Sequence, residues 1–154
     1  KEVWPIVYAA NNELTLHLAG RAMNEKLLNL KAEGIIVHGE VDDASEFRKT
    51  HGIMLVPLLA GSGIRIKIIE GMAEGVPVIS TRIGAEGIPG RHEEEICFAD
   101  SAADFASAML QLANNAELCQ QIGKNAAILA EQKFLNKNLA HRLMAFYRAA
   151  WQIS

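Results

Sequence analysis

Residues 53–80 read IMLVPLLAGSGIRIKIIEGMAEGVPVIS. The stretch opens on an unbroken apolar segment, Ile53 to Val56, stopped by Pro57, which has no N–H to give to a strand ladder. It closes on a second apolar segment, Pro77 to Ser80. Between them, Ile64 to Glu74 carries apolar residues at helical spacing. Gly75 follows, where a helix end favours a left-handed residue. Strand, glycine loop, helix and strand in that order make a βαβ unit. Its two strands must run parallel, because the helix returns the chain to the starting edge.

The same alternation extends outward on both sides. Leu14 to Ala19 alternates apolar and polar residues up to Gly20, and Ile35 to His38 is a short β-branched run ended by Gly39. Around these lie helical patterns at Trp4–Asn11 and at Arg21–Lys31, the latter with Met23, Leu27, Leu28 and Leu30 on one side. Asp42 or Asp43 is placed to cap a helix running through Thr50 and ended by His51-Gly52. Downstream, residues 81–92 read as a loop, Glu95 to Ala99 as a last strand, and everything from Asp100 as helix with breaks near Asn114-Asn115 and Asn136. The final helix would align Leu135, Leu139, Leu143, Phe146 and Ala150. The expectation is one α/β domain over residues 1–154, a parallel sheet with helices on both faces and an all-helical C-terminal third.

Composition sets the limits of function. The chain has 154 residues, half of them hydrophobic, with 15 basic and 18 acidic side chains for a net charge of −3. A general nucleic-acid binder needs a basic field that this chain lacks. Cys97 and Cys119 make neither a metal-type pair nor a disulfide framework, which fits a reducing, intracellular setting. No apolar run approaches the ~20 residues needed to span a bilayer. The chain begins at Lys1 with neither an initiator Met nor a signal segment, and so reads as part of a longer protein.

Ligands of open α/β sheets bind beyond the carboxyl ends of the strands. Here that places attention on Gly61, Ser62 and Gly63, where missing Cβ atoms let backbone N–H groups approach a ligand. The loop is expected to lead into a helix N-terminus, with Arg65 and Lys67 in its first turn. Cations there oppose the helix dipole unless an anion sits between, so the pattern points to a phosphate. The plainer alternative is a tight loop with Arg65 and Lys67 paired to Glu70 and Glu74. A dinucleotide turn is excluded by Ile66 at the third glycine position, and the Walker lysine motif is absent. The five histidines show no paired metal spacing, and His17 and His38 read as hydrogen-bonded strand residues. Glu93-Glu94-Glu95 reads as a solvated loop. Ser62 has no neighbouring base to make it a nucleophile, and the C-terminal apolar stripe reads as packing rather than a membrane face.

From Gly61 to Gly87 the sequence resembles the donor-binding half of family 4 glycosyltransferases, retaining enzymes of the GT-B fold. The segments 16–21 (LHLAGR), 38–43 (HGEVDD) and 54–57 (MLVP) fall in register with strand ends of that domain. The resemblance implies a Rossmann-like sheet, one half of a GT-B enzyme lacking its first strand, with the acceptor domain absent. It implies that Gly61, Ser62, Gly63, Arg65 and Lys67 hold the donor diphosphate and that Arg65 and Lys67 carry the catalytic charge. Glu70 matches the second of two family glutamates and would accept the ribose hydroxyls. The first of those glutamates is replaced by Ser62. Gly39 and Val41 would edge the nucleobase, and Gly84, Ala85 and Glu86 would lie near the cleft floor.

The implied activity is retaining hexosyl transfer from a nucleoside-diphosphate sugar to a saccharide or glycolipid acceptor, within polysaccharide biosynthesis. The expected site is cytoplasmic, peripheral at the inner membrane face. No metal or cofactor is expected, since fixed cations can carry the leaving charge and no Asp-x-Asp motif is present. A non-catalytic nucleotide-binding module and a sugar-nucleotide epimerase are the alternatives on this scaffold. Two unpaired strand edges, at Leu14–Ala19 and Ile53–Val56, should either pair with each other or with a second copy.

Overall fold

A computed structural model describes residues 2–135 and residue 144. The elements run α1 (Val3–Ala10), β1 (Leu16–Ala19), α2 (Glu25–Leu28), β2 (Ile35–Gly39), α3 (Ala44–His51), β3 (Met54–Val56), α4 (Ile66–Ala73), β4 (Val78–Ser80), β5 (Cys97–Phe98), α5 (Ala102–Asn114) and α6 (Ala116–Phe134). All strand pairs are parallel. The expected final helix lies outside the described residues, apart from Leu135 and Met144.

The sheet differs from the expectation in one respect. It is divided: β1 pairs only with β2, and β3, β4 and β5 form a separate three-stranded sheet. Among the described residues, β1 and β3 do not pair with one another. The gap falls where the resemblance places the first strand of a Rossmann-like sheet, between its second and fourth.

Helices cover both faces of the three-stranded sheet. Adjacent residues of a strand point to opposite faces. Accordingly Val78 joins a core with Ile68 and Met72 of α4 and Ala126 and Ala130 of α6. Its neighbour Ile79 joins Cys97 with Phe105, Ala108 and Leu112 of α5. All three β4 residues are buried, and the two aliphatic ones, Val78 and Ile79, each contribute about 1.5–3 kcal/mol by leaving water. Burial pushes the Cys97 thiol up to about 11. α1 lies against α5 and, through Trp4 and Val7, against Leu14, Leu16 and Ile35 beside the smaller sheet.

Local chemistry sets the helix boundaries. Asp43 caps α3 by accepting from the N–H groups of Ser45 and Glu46, and those bonds hold its carboxyl below the usual range. Ser101 and Asp104 form a reciprocal capping box at α5. Asn115 ends α5 and caps α6 through Leu118 N–H. The helix expected over residues 21–31 shrinks to one turn capped by Asn24. Its apolar stripe is only partly covered, for Met23 and Leu27 are half-buried while Leu28 and Leu30 stay exposed. Glu95, expected in a solvated loop, is buried; its carboxylate takes the Arg91 guanidinium and backbone N–H at 2.6 and 2.8 Å.

Candidate nucleotide-binding site

Pro57 closes β3, and the chain crosses to α4 over residues 58–65. Gly61 has φ +133° and Gly63 +85°, backbone regions that side chains with a Cβ rarely enter. A Cβ at Gly61 would run into the Arg65 guanidinium, whereas one at Gly63 would meet open space.

The helix starts at Ile66, two residues later than expected, with Arg65 as an extended N-cap that makes no side-chain cap bond. Only Lys67 of the two cations therefore lies in the first turn. Arg65 instead folds back on the loop, Nη1 donating to the Ser62 carbonyl at 2.8 Å. Its Nε is buried without a partner. Both cations line a concavity of about 550 Å³ walled by Met54–Leu58 and Ile64–Ile68. The amides of Ile66 and Lys67, at the first two positions of α4, belong to the same wall, while Ile68 N–H is taken by the Arg65 carbonyl at 2.9 Å.

Pairing of Arg65 and Lys67 with the helix glutamates is not what the structure shows. Arg48 of α3 takes that role: its Nε and Nη2 bind both Glu74 oxygens at 2.7 and 2.6 Å. Its Nη1 stands 3.6 Å from Glu70. The Arg48 hydrogen bonds hold the Glu74 carboxyl below the usual carboxylate range. Glu70 keeps about half its side-chain surface, 49%, open, so Arg48 orients it without enclosing it. Nothing in the sequence flagged Arg48, which lies 26 residues from Glu74.

The loop after β4 faces the glycine loop and is bonded to it. Thr81 Oγ1 donates to the Leu58 carbonyl and accepts from Gly84 N–H at 2.9 Å. Glu86 Oε2 accepts from Gly63 N–H at 3.1 Å. Gly84 and Ala85 are buried, Ala85 within the core beside Ile68, and Glu86 alone of the three is exposed and reaches the glycine loop. Gly39, at φ +71°, and Val41 stand at and just past the carboxyl end of β2, in the smaller sheet. Gly39 ties the end of that sheet by accepting from Gly20 N–H at 2.7 Å.

Parallel sheets flanked by helices, with a glycine loop and a cationic helix entry beyond β3, match the fold of GT-B glycosyltransferase domains. Its C-terminal counterpart from a glycosyl transferase group 1 family protein (LpcC) of Francisella tularensis matches with TM-score 0.66 and 20% identity over 86% of this chain and 76% of that one. Anabaena Alr3699/HepE, solved in complex with UDP and glucose, matches with TM-score 0.73 and 16% identity over 93% of this chain and 44% of that one. An uncharacterized 44.6 kDa protein in the cps region of Klebsiella pneumoniae is 25% identical over 147 residues, 90% of this chain and 38% of that protein. The chain thus spans well under half of that relative's length. The family Glycosyl transferases group 1 matches residues 1–115, and the chain belongs to it.

Proposed function

We propose that this chain binds the nucleoside-diphosphate part of a sugar nucleotide in the concavity between β3 and α4. The observation that carries this reading is the Arg65 guanidinium: half-buried beside Gly61, with a buried N–H that no protein group satisfies. A buried donor without a partner is rare in a folded chain, and a diphosphate oxygen would complete it. Lys67 adds a second charge, and the α4 dipole favours an anion at the same place. Glu70, aligned by Arg48, accepts the ribose hydroxyls. Gly39 and Val41 edge the base, and Gly84, Ala85 and Glu86 form the far side of the cleft.

In the whole protein the bound donor gives up its sugar with retention at the anomeric carbon. As the bond between that carbon and the diphosphate oxygen breaks, its electron pair goes to the diphosphate. Arg65 and Lys67 lower the barrier by standing where that charge accumulates. They need no metal to do so. The acceptor is a saccharide or glycolipid held by a further domain, in polysaccharide biosynthesis on the cytoplasmic side of a membrane. By itself this chain binds donor without transferring it. The open edges of β1 and β3 support pairing between two copies, which light scattering over a concentration series detects.

The test is calorimetry with UDP, GDP and pyrophosphate, alongside backbone amide shifts. Binding should move the amides of residues 61–70. Glu70→Ala should weaken the nucleoside diphosphate by about 10- to 100-fold, the worth of one or two hydrogen bonds to a carboxylate, and leave pyrophosphate unchanged. Equal loss for both contradicts the ribose role, and silence at residues 61–70 with every nucleotide removes the reading.

A further inference from the structure

Three histidines remote in sequence meet in space. His17 comes from β1, His38 from β2 and His51 from the last residue of α3. One ring nitrogen from each lies within 4.8 Å of the other two. His17 Nδ1 and His38 Nε2 are 2.9 Å apart, and the His17 and His51 ring centroids are 3.9 Å apart. From these residues we propose a binding site for a divalent transition metal of the zinc type, with three imidazole ligands and an open fourth position for water.

The hydrogen bonds around the cluster prepare it for that role. A ligating histidine is normally oriented by a partner on its other ring nitrogen. His51 Nδ1 lies 2.7 Å from the Phe47 carbonyl. A carbonyl only accepts, so Nδ1 carries the proton and the Nε2 lone pair is left for a metal. His17 Nε2 is 2.9 Å from the Thr15 hydroxyl; donation to that oxygen leaves the Nδ1 lone pair facing His38. His38 gives its Nε2 once its proton has moved to Nδ1, so metal binding releases no proton there.

The geometry is within reach. Tetrahedral zinc with Zn–N bonds of ~2.0–2.1 Å sets its ligands about 3.3 Å apart. The His17–His38 pair must open by a few tenths of an ångström, and the His51 nitrogen already lies within 4.8 Å of both. His38 is exposed and His51 half-buried, so both have room. Three imidazoles with no thiolate suit zinc, copper or nickel and exclude the hard cations that prefer oxygen.

The site also has a structural use. No residue between Val7 and Ile68 is buried. β1, β2 and α3 belong to that stretch, so apolar contact alone holds them loosely. A metal bound to all three elements would staple them, and its binding energy would add directly to stability. His38 adjoins Gly39 at the proposed base edge, but none of the three histidine side chains is assigned a nucleotide contact, so zinc binding is tested apart from the nucleotide reading.

The test uses the full chain stripped of metal, titrated with zinc chloride by calorimetry and with cobalt chloride by visible absorption. The expected results are one equivalent bound, cobalt absorption of tetrahedral type, and a melting temperature that rises with zinc. Zinc should shift the ring signals of His17, His38 and His51 and spare that of His92. His38→Ala, at an exposed position, keeps the fold and should lower affinity by about 100-fold or more, since even losing a residue behind a ligand costs 10–100-fold. His92→Ala should bind like the unmodified chain. Failure to bind one equivalent, binding unaltered in His38→Ala, or zinc shifts confined to other residues would each overturn the proposal.

Discussion

Gly61→Ala and Gly63→Ala form a matched pair that isolates what Arg65 does. Both replace a glycine at positive φ, so both strain the loop by about 1–3 kcal/mol. That should lower the melting temperature by about 2–4 °C per kcal/mol in a chain of this size. They differ in where the new methyl goes. At position 63 it enters open space; at position 61 it meets the Arg65 guanidinium. The guanidinium is the far end of a flexible side chain and moves aside, so Gly61→Ala adds little further destabilisation. It does remove a charge-assisted contact from the diphosphate, worth about 1.5–3 kcal/mol, or roughly 10- to 150-fold in affinity. Calorimetry with UDP and with pyrophosphate should show that loss for Gly61→Ala, and near-unchanged affinity for Gly63→Ala. Thermal melts confirm that the two are equally folded. Equal affinities for the two variants would show that Arg65 does not hold the ligand, and the assignment of the leaving-group charge would go with it.

Two further outcomes concern stability. Gly123→Ala puts a methyl of α6 into the Gly75 carbonyl, with Pro77 Cδ 3.3 Å away. Neither can yield as a side chain tip does, so the ~1 kcal/mol that alanine normally adds to a helix is reversed. A net loss of about 2–3 kcal/mol should appear in urea unfolding. Acid should also weaken the fold: Glu74 and Glu95 are held ionised by Arg48 and Arg91, below their unfolded values. Their stabilisation is present above about pH 4.3 and is lost as pH falls through the folded values. Glu74→Gln should cost about 1–3 kcal/mol at pH 7 and flatten the acid side of a pH series of urea midpoints.

Much of the fold was legible because its signals are local. Pro57, Gly75, Asp43 and Asn115 mark boundaries by their own chemistry, and the apolar runs at 53–56 and 77–80 became adjacent parallel strands. Where the signal depended on a distant partner, it failed. The stripe at Met23–Leu30 is helical in pattern, but only one turn forms, and Leu28 and Leu30 stay exposed. The α4 start was misread by two residues, since Arg65 and Ile64 fit a helical repeat although the loop geometry holds them outside it. The glycine loop itself was found from glycine and charge alone. Arg48, which orients Glu70, lies on another helix. The histidine cluster is assembled from two strands and a helix end, so no spacing rule reaches it. Glu95 looked solvated only because its partner, Arg91, was not weighed with it.

The hydrogen bond from Gly63 to Glu86 makes the loop selective about its guests. That N–H is not offered bare: a carboxylate already sits on it, so an incoming anion first has to evict a resident of like charge. A small monovalent solute such as acetate merely swaps one carboxylate for another and gains nothing. In the proposed site, a diphosphate able to engage Arg65 and Lys67 in the same step would outcompete the occupant. The threshold for entry would then be written into the chain itself and would favour ligands carrying several charges at once.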